Sequence, residues 1–224
     1  MPIYKTKNEN FFKKWTPDMA YVLGFFTADG NMIKNKRGAH FLEIQSTDKE
    51  IVYKIRKALQ SDLIIGEYQS KHKNYKKRYR LQIGSKEIFN DLLKLGITPK
   101  KSKTIKLPNI PNKYFSHFLR GYFDGDGNVT IAKYKRKNRD NKISTTILSG
   151  FISGSEIFLK QLLAKIKEFG NVLGGTLYYS NRGYRLYYSV NDSFKLYKFM
   201  YKNSAEDLFL SRKRKVFEKY FKIR

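Results

Sequence analysis

A nine-residue stretch occurs twice in this chain and limits the possible folds more than any other feature. Val22-Leu23-Gly24-Phe25-Phe26-Thr27-Ala28-Asp29-Gly30 returns 97 residues later as Leu119-Arg120-Gly121-Tyr122-Phe123-Asp124-Gly125-Asp126-Gly127. Both copies keep Gly third, an aromatic fourth, Phe fifth, Asp eighth and Gly ninth, and both continue into an asparagine, Asn31 or Asn128. Repetition at this spacing means one folding unit used twice. The 224 residues are therefore expected to divide into two small halves rather than form one large domain.

Read as a helix, each copy places small residues four apart on one face, Gly24 with Ala28 and Gly121 with Gly125. Without bulky side chains two such faces can meet backbone to backbone. The two helices would then end side by side and bring Asp29 and Asp126 to one place. That placement is unfavourable by itself, because an acid in the last turn opposes the helix dipole and two close carboxylates repel. A divalent cation removes both penalties. The plainer reading makes them ordinary acids in helix-ending turns, since Asp-Gly is also a common hairpin sequence.

The repeated stretch resembles the signature helix of the LAGLIDADG homing endonucleases, whose eighth letter is the metal-binding acid. Asp29 and Asp126 hold that place, while the sixth letter is Thr27 in one copy and Asp124 in the other. The resemblance implies an α+β fold of two pseudo-symmetric αββαββα halves. Each half is a curved four-stranded antiparallel saddle, packed through the two signature helices. It also implies Mg²⁺ held by Asp29 and Asp126 with the carbonyls of Ala28 and Gly125, Mn²⁺ as a substitute, and Ca²⁺ supporting binding without efficient cleavage.

Composition agrees with a polyanionic partner. Forty-six Lys and Arg face nineteen Asp and Glu, a net charge of +27. Residues 1–105 carry 22 basic and 10 acidic groups and residues 106–224 carry 24 and 9, so the charge belongs to both halves and not to a tail. A long polyanion lying across the whole molecule fits this distribution, with nucleic acid the first candidate and a membrane surface the second; the resemblance implies double-stranded DNA. No run of about 18 apolar residues suggests a membrane span. No cysteine is present, which excludes disulfides and thiolate metal sites. With no secretory signal evident, the expected location is intracellular, in a nucleoid or organelle. No protein-splicing chemistry of the Cys, Ser or terminal Asn kind is visible, so a free-standing monomer is expected.

Periodicity fills in the rest of the chain. Thr16-Pro17-Asp18 reads as an N-cap followed by a helix start. Strands are expected near 31–36, 39–45, 63–71 and 77–83, with helices near 48–60, opened by a Thr47/Glu50 capping box, and 85–95. The second half repeats this order: strands near 128–134, 145–152, 172–180 and 184–190, helices near 155–169 and 192–202, and a last helix near 205–221. The expected divisions are an N-terminal half at 1–103, a linker at 104–112 with Pro108 and Pro111, and a C-terminal half at 113–224.

Beyond the two acids, Lys103 and Lys213 resemble the basic residues that the family places near the scissile phosphate, with Lys101, Arg212 and Lys215 as rivals. Gln45 and Ser46 stand near the position of a water-ordering polar residue. Strand alternation turns Tyr79, Leu81 and Ile83 toward the helices and Arg78, Arg80 and Gln82 outward. Such outward groups suit base edges and phosphates. The expected DNA contacts add Asn31, Asn35, Arg37, Gln69, Lys71, Asn128, Thr130, Arg136, Arg182 and Arg185 to those three. Of the three histidines, His117 falls on the second signature helix and is expected at the surface. The resulting expectation is a site-specific endonuclease that breaks both strands of a long asymmetric target and leaves short 3′ overhangs, as in intron homing. The alternatives are an intron RNA maturase or a non-cleaving DNA-binding protein on the same fold.

Overall fold

The computed structural model describes residues 6–70, 75–135, 143–202 and 208–222. Thr16 accepts a hydrogen bond from the Met19 amide at 3.0 Å, and with Pro17 at the first helical position it starts α1 (Pro17–Asp29). The chain then runs through β1 (Gly30–Lys34), β2 (His40–Ser46), α2 (Lys49–Ala58), β3 (Gly66–Tyr68), β4 (Arg78–Gly84) and α3 (Lys86–Lys94). The same order recurs as α4 (Phe115–Asp126), β5 (Gly127–Lys135), β6 (Ile143–Ser153), α5 (Glu156–Gly170), β7 (Thr176–Ser180), β8 (Gly183–Tyr188) and α6 (Val190–Tyr201), with α7 (Ser211–Phe221) last. Both sheets are antiparallel and share one strand order, β1-β2-β4-β3 and β5-β6-β8-β7. The fold is α+β in two repeated halves.

By contacts the chain forms two units, one of Met1–Lys101, Pro108–Gly125 and Ser204–Phe209, the other of Ser102–Leu107, Asp126–Asn203 and Leu210–Arg224. The repeat boundary and the unit boundary differ, because α4 up to Gly125 belongs with the first unit.

In the first unit the alternation of β1, β2 and β4 buries Met32, Leu42, Ile44, Leu81 and Ile83 on one face. Ile51, Val52 and Ile55 of α2 and Ile88 and Leu92 of α3 complete that core. Burying each such side chain favours folding by about 1.5–3 kcal/mol before entropy is counted. The small-residue faces of α1 and α4 meet here. A Cβ on Gly24 would strike the Phe118 carbonyl, 2.9 Å from its carbon, and one on Gly121 would strike that of Tyr21, again 2.9 Å from carbon. One on Gly125 would overlap Ala28 Cβ. Only residues lacking side chains permit this approach.

The second unit has its own core of Ile147, Phe151 and Leu186 beneath Phe158, Leu159, Leu162 and Ile166 of α5 and Leu196 of α6. Ser149 of β6 donates to Ser193 Oγ at 2.8 Å, and Ser193 donates to the Tyr188 carbonyl at 3.0 Å, which ties α6 to its sheet without an unsatisfied hydroxyl.

Some local expectations fail for identifiable reasons. The Thr47/Glu50 capping box does not form: Asp48 is the N-cap residue, its amide bonds Ser46 Oγ at 3.1 Å, and Glu50 pairs instead with Lys54 at 2.6 Å. The strand expected from 172 starts at Thr176, because Gly175 takes φ +112, outside extended backbone. Of the run expected at 63–71, Gly66–Tyr68 is the strand among the described residues, and Lys71 lies outside them. The last helix is described from Ser211, and Ala205 lies outside the described residues. No helix among the described residues is long and apolar enough to cross a membrane.

Candidate active site and nucleic-acid interface

Each signature helix passes without a loop into the first strand of its sheet, so Asp29 and Asp126 are the last helical residues and Gly30 and Gly127 the first strand residues. Asp29 is exposed and Asp126 half-buried. Gly30 is extended at φ −77°, so its glycine is not there for a left-handed turn. A Cβ there would run into the Phe26 ring. Within the first unit, Asp29 Oδ2 lies 3.4 Å from where a Cβ of Gly125 would stand. Glycine thus keeps the space around that carboxylate open, and a half-buried Ala28 precedes it. Oxygen donors suit a small hard cation such as Mg²⁺, which needs few protein ligands and keeps waters. No cluster of three or more acidic, His or Cys side chains able to hold a metal occurs among the described residues.

Two lysines hold equivalent places beside these helix ends. Lys213, at the start of α7 and 6% exposed, donates to the Gly127 carbonyl at 2.7 Å. Its counterpart is Lys101, 7% exposed, which donates to the Gly30 carbonyl and has its ammonium 5.6 Å above the Phe26 ring. Both therefore bond the residue that follows a signature acid. Lys103, the residue singled out from the sequence, is exposed at the end of the 3-10 turn Lys101–Lys103. Lys100, just before that turn, adopts the left-handed φ of +57. Gln45 is half-buried and pairs across the sheet with Arg80; Ser46 is occupied by the Asp48 amide.

A buried polar cluster underlies the second signature helix and was not foreseen. Asp124 Oδ2 accepts from the Tyr21 hydroxyl at 2.6 Å, and the Arg120 guanidinium sits 5.4 Å over the Tyr21 ring. Arg120 also donates to the Leu208 carbonyl at 2.9 Å and contacts His117 Nδ1 at 3.1 Å. His117 is thus buried, contrary to expectation, because the helix turns it to the same side as Arg120. The sixth letter explains the asymmetry of the repeats: Thr27 donates back to its own helix at Leu23 O, 2.7 Å, whereas Asp124 reaches across to α1. The four-residue interval from Arg120 to Asp124 was the available clue.

The outward residues fall into two groups. In the first sheet Asn31, Arg78, Arg80 and Gln82 are exposed on the face away from α2 and α3, and Arg80 lies 3.5 Å from Glu43. Arg37 is exposed at the β1–β2 turn, where Asn35 holds the Arg37 and Ala39 amides at 3.0 and 2.8 Å, so its side-chain oxygen shapes the turn. Gln69 is exposed and donates to Tyr75 O at 3.2 Å. In the second sheet Thr130 is exposed, Asn128 donates to the Tyr187 hydroxyl at 3.2 Å, and Arg185 donates to Ser180 O at 3.4 Å. Asn181 and Arg182 form a two-residue hairpin turn with φ +49 and +63, which leaves Arg182 exposed at its tip. Lys71 and Arg136 lie outside the described residues.

Two repeated α+β halves, each a four-stranded antiparallel sheet led by an acid-terminated helix, define a repeat protein of one fold class. The family comparisons give it a name. Residues 16–96 match the LAGLIDADG-like domain and residues 119–224 the LAGLIDADG endonuclease domain, so the chain belongs to the LAGLIDADG family. The fold resembles that of the LAGLIDADG meganuclease I-AabMI bound to uncleaved DNA, with TM-score 0.64 at 14% identity over 93% of this chain and 90% of the other. It also resembles the homing endonuclease I-WcaI bound to its DNA recognition sequence, with TM-score 0.59 at 15% identity over 93% and 91%. An uncharacterised protein of Methanocaldococcus jannaschii is 26% identical over 184 residues, 76% of this chain, which spans 61% of that relative's length.

Proposed function

We propose that this chain is a homing endonuclease that makes a divalent-metal-dependent double-strand break with short 3′ overhangs at a long asymmetric DNA site. The observation that carries this reading is the repeated constellation itself: an acid ending each signature helix, and a buried lysine on the carbonyl that follows it, Lys101 with Gly30 and Lys213 with Gly127. The excess of basic residues in both halves supports a polyanionic partner such as a duplex. If each sheet reads about one turn of duplex, the target extends over about two turns, on the order of 20 bp. Because their outward residues differ, the target need not be palindromic.

Asp29 and Asp126, with the carbonyls of Ala28 and Gly125, are the groups that would hold Mg²⁺ or Mn²⁺. A cation bound there supplies an activated water and a charge for the leaving oxygen of phosphodiester hydrolysis. Lys101 and Lys213, each bonded to the carbonyl one residue beyond an acid, would stabilise the charge gathering on the phosphate. Lys101 takes this role in preference to Lys103, which as an exposed lysine serves the DNA backbone. Asn31, Arg78, Arg80, Gln82, Asn128, Thr130, Arg182 and Arg185 form the described part of the DNA-facing set.

The test is to incubate the chain with a randomised duplex library in Mg²⁺ and sequence the cut ends. Recovery of one asymmetric site with 3′ overhangs, bound but uncut in Ca²⁺, is expected. A palindromic site, or cutting unaffected by chelator, would overturn the proposal.

A further inference from the structure

The two sheets present chemically different outer faces. Across β1, β2 and β4 the first offers mostly amides and charges, Asn31, Glu43, Gln45, Arg78, Arg80 and Gln82, with the half-buried Ile33 and Phe41 paired at one end. Among its described paired positions the second carries little charge and one amide, Asn128. Thr130 pairs with Leu148 and Ala132 with Thr146 on the face opposite the α5 and α6 core, and further along the same face lie Tyr134 and Ile152. Leu148 is 40% exposed and Tyr134 46%, with Thr130 and Ala132 exposed between them. Arg185 is the one charged residue among the paired outward positions of β5 to β8, and it is partly occupied by Ser180 O.

Methyl groups in water-facing strand positions recognise one feature of the DNA major groove, the 5-methyl of thymine, which no other base carries. Arg and the amides of the first sheet recognise guanine and adenine edges by paired hydrogen bonds. Resting on the DNA-binding reading above, we infer that the target is chemically lopsided. The half facing the second sheet is rich in A·T pairs and is read through thymine methyls by Thr130, Ala132, Thr146 and Leu148. The half facing the first sheet is read through hydrogen bonds.

The aromatic pair on this face is turned partly upon itself. Tyr178 and Tyr187 stack on each other, centroids 6.3 Å apart at 26°, and the Tyr187 hydroxyl is held by Asn128, so one face of each ring is turned to the other. Stacking of single-stranded bases needs open ring faces.

The test replaces thymine by deoxyuridine, which keeps every hydrogen-bonding edge and removes only the methyl. With the site selected from a duplex library, binding is measured for deoxyuridine placed in one half at a time. Loss of about threefold to fivefold per contacted methyl is expected in the half read by the second sheet, and less than about twofold in the other. Leu148→Ser should abolish the sensitivity at the positions it covers, so that the thymine- and deoxyuridine-containing duplexes bind it alike there. Arg80→Ala, which alters selection in the other half, identifies which half is which. Binding that is indifferent to the methyls in both halves overturns this inference and leaves the nuclease reading intact. Failure to bind any duplex selectively, or a preference for single-stranded RNA through Tyr178 and Tyr187, overturns both.

Discussion

Replacing Gly121 or Gly24 by alanine probes the contact that joins the signature helices. A Cβ on Gly121 would lie 2.9 Å from the Tyr21 carbonyl carbon and 3.0 Å from the Phe25 amide nitrogen; on Gly24 it would lie 2.9 Å from both the Phe118 carbonyl carbon and the Tyr122 nitrogen. Non-bonded carbons rest about 3.5–4.0 Å apart, so either alanine must part the two backbones by roughly 0.6–1 Å. Overpacking of this kind costs about 1–3 kcal/mol, and here the obstacle is backbone and cannot rotate away. Alanine recovers about 1 kcal/mol of helix propensity relative to glycine. The net expectation for each single variant is a loss of about 1–2 kcal/mol, or about 2–8 °C in melting temperature for a chain of this length. Once one alanine has separated the helices the second meets more room, so the double variant should lose less than the sum by at least about 0.5 kcal/mol. Urea denaturation with unchanged slope measures all three. A Gly121→Ala protein as stable as the parent, or strictly additive losses, would refute the backbone contact.

Tyr21→Phe removes the hydroxyl that donates to buried Asp124 and should cost about 2 kcal/mol, read as a lowered urea midpoint. Tyr188→Phe should stabilise by about 1 kcal/mol, because the Tyr188 hydroxyl is buried with no hydrogen-bond partner among the described residues. Burial, and secondarily the charge of Asp192, raises the pKa of Tyr188. Its neutral form is therefore favoured by folding: that contribution is complete below the ordinary tyrosine value of about 10 and fades as pH rises above it. Alkaline denaturation should accordingly be less steep in Tyr188→Phe than in the parent. Lys101→Met should reduce cleavage by about two orders of magnitude with little change in binding, whereas Lys103→Met should leave the cleavage rate of bound substrate unchanged; single-turnover assays at saturating DNA separate the two.

Much of this architecture was legible in the sequence, because both sheet faces and both signature helices are written in short-range periodicity. The alternation of Arg78, Tyr79, Arg80, Leu81, Gln82 and Ile83 gave the orientation of β4 directly, and β5, β6 and α5 begin and end within a residue or two of their expected limits. What failed depended on tertiary placement. Which lysine of Lys100-Lys101-Ser102-Lys103 serves the phosphate stays open in the sequence, because the residue types are nearly alike; the fold buries Lys101 and exposes Lys103. His117 was misplaced because a helical histidine is outward or inward according to what its neighbours need, and here Arg120 needs it. The Thr47/Glu50 pattern was overridden by two competing local bonds, from the Asp48 amide to Ser46 and from Lys54 to Glu50.

The assignment of cleavage to the paired acids is tested most directly by Asp29→Asn and Asp126→Asn, singly and together, with binding and cutting of the selected site measured on the same preparations. Tight binding with no linear product from the double variant, and no double-strand break from either single variant, is the predicted result. A doubly substituted protein that still linearises its target in Mg²⁺ would show that the scissile chemistry resides elsewhere.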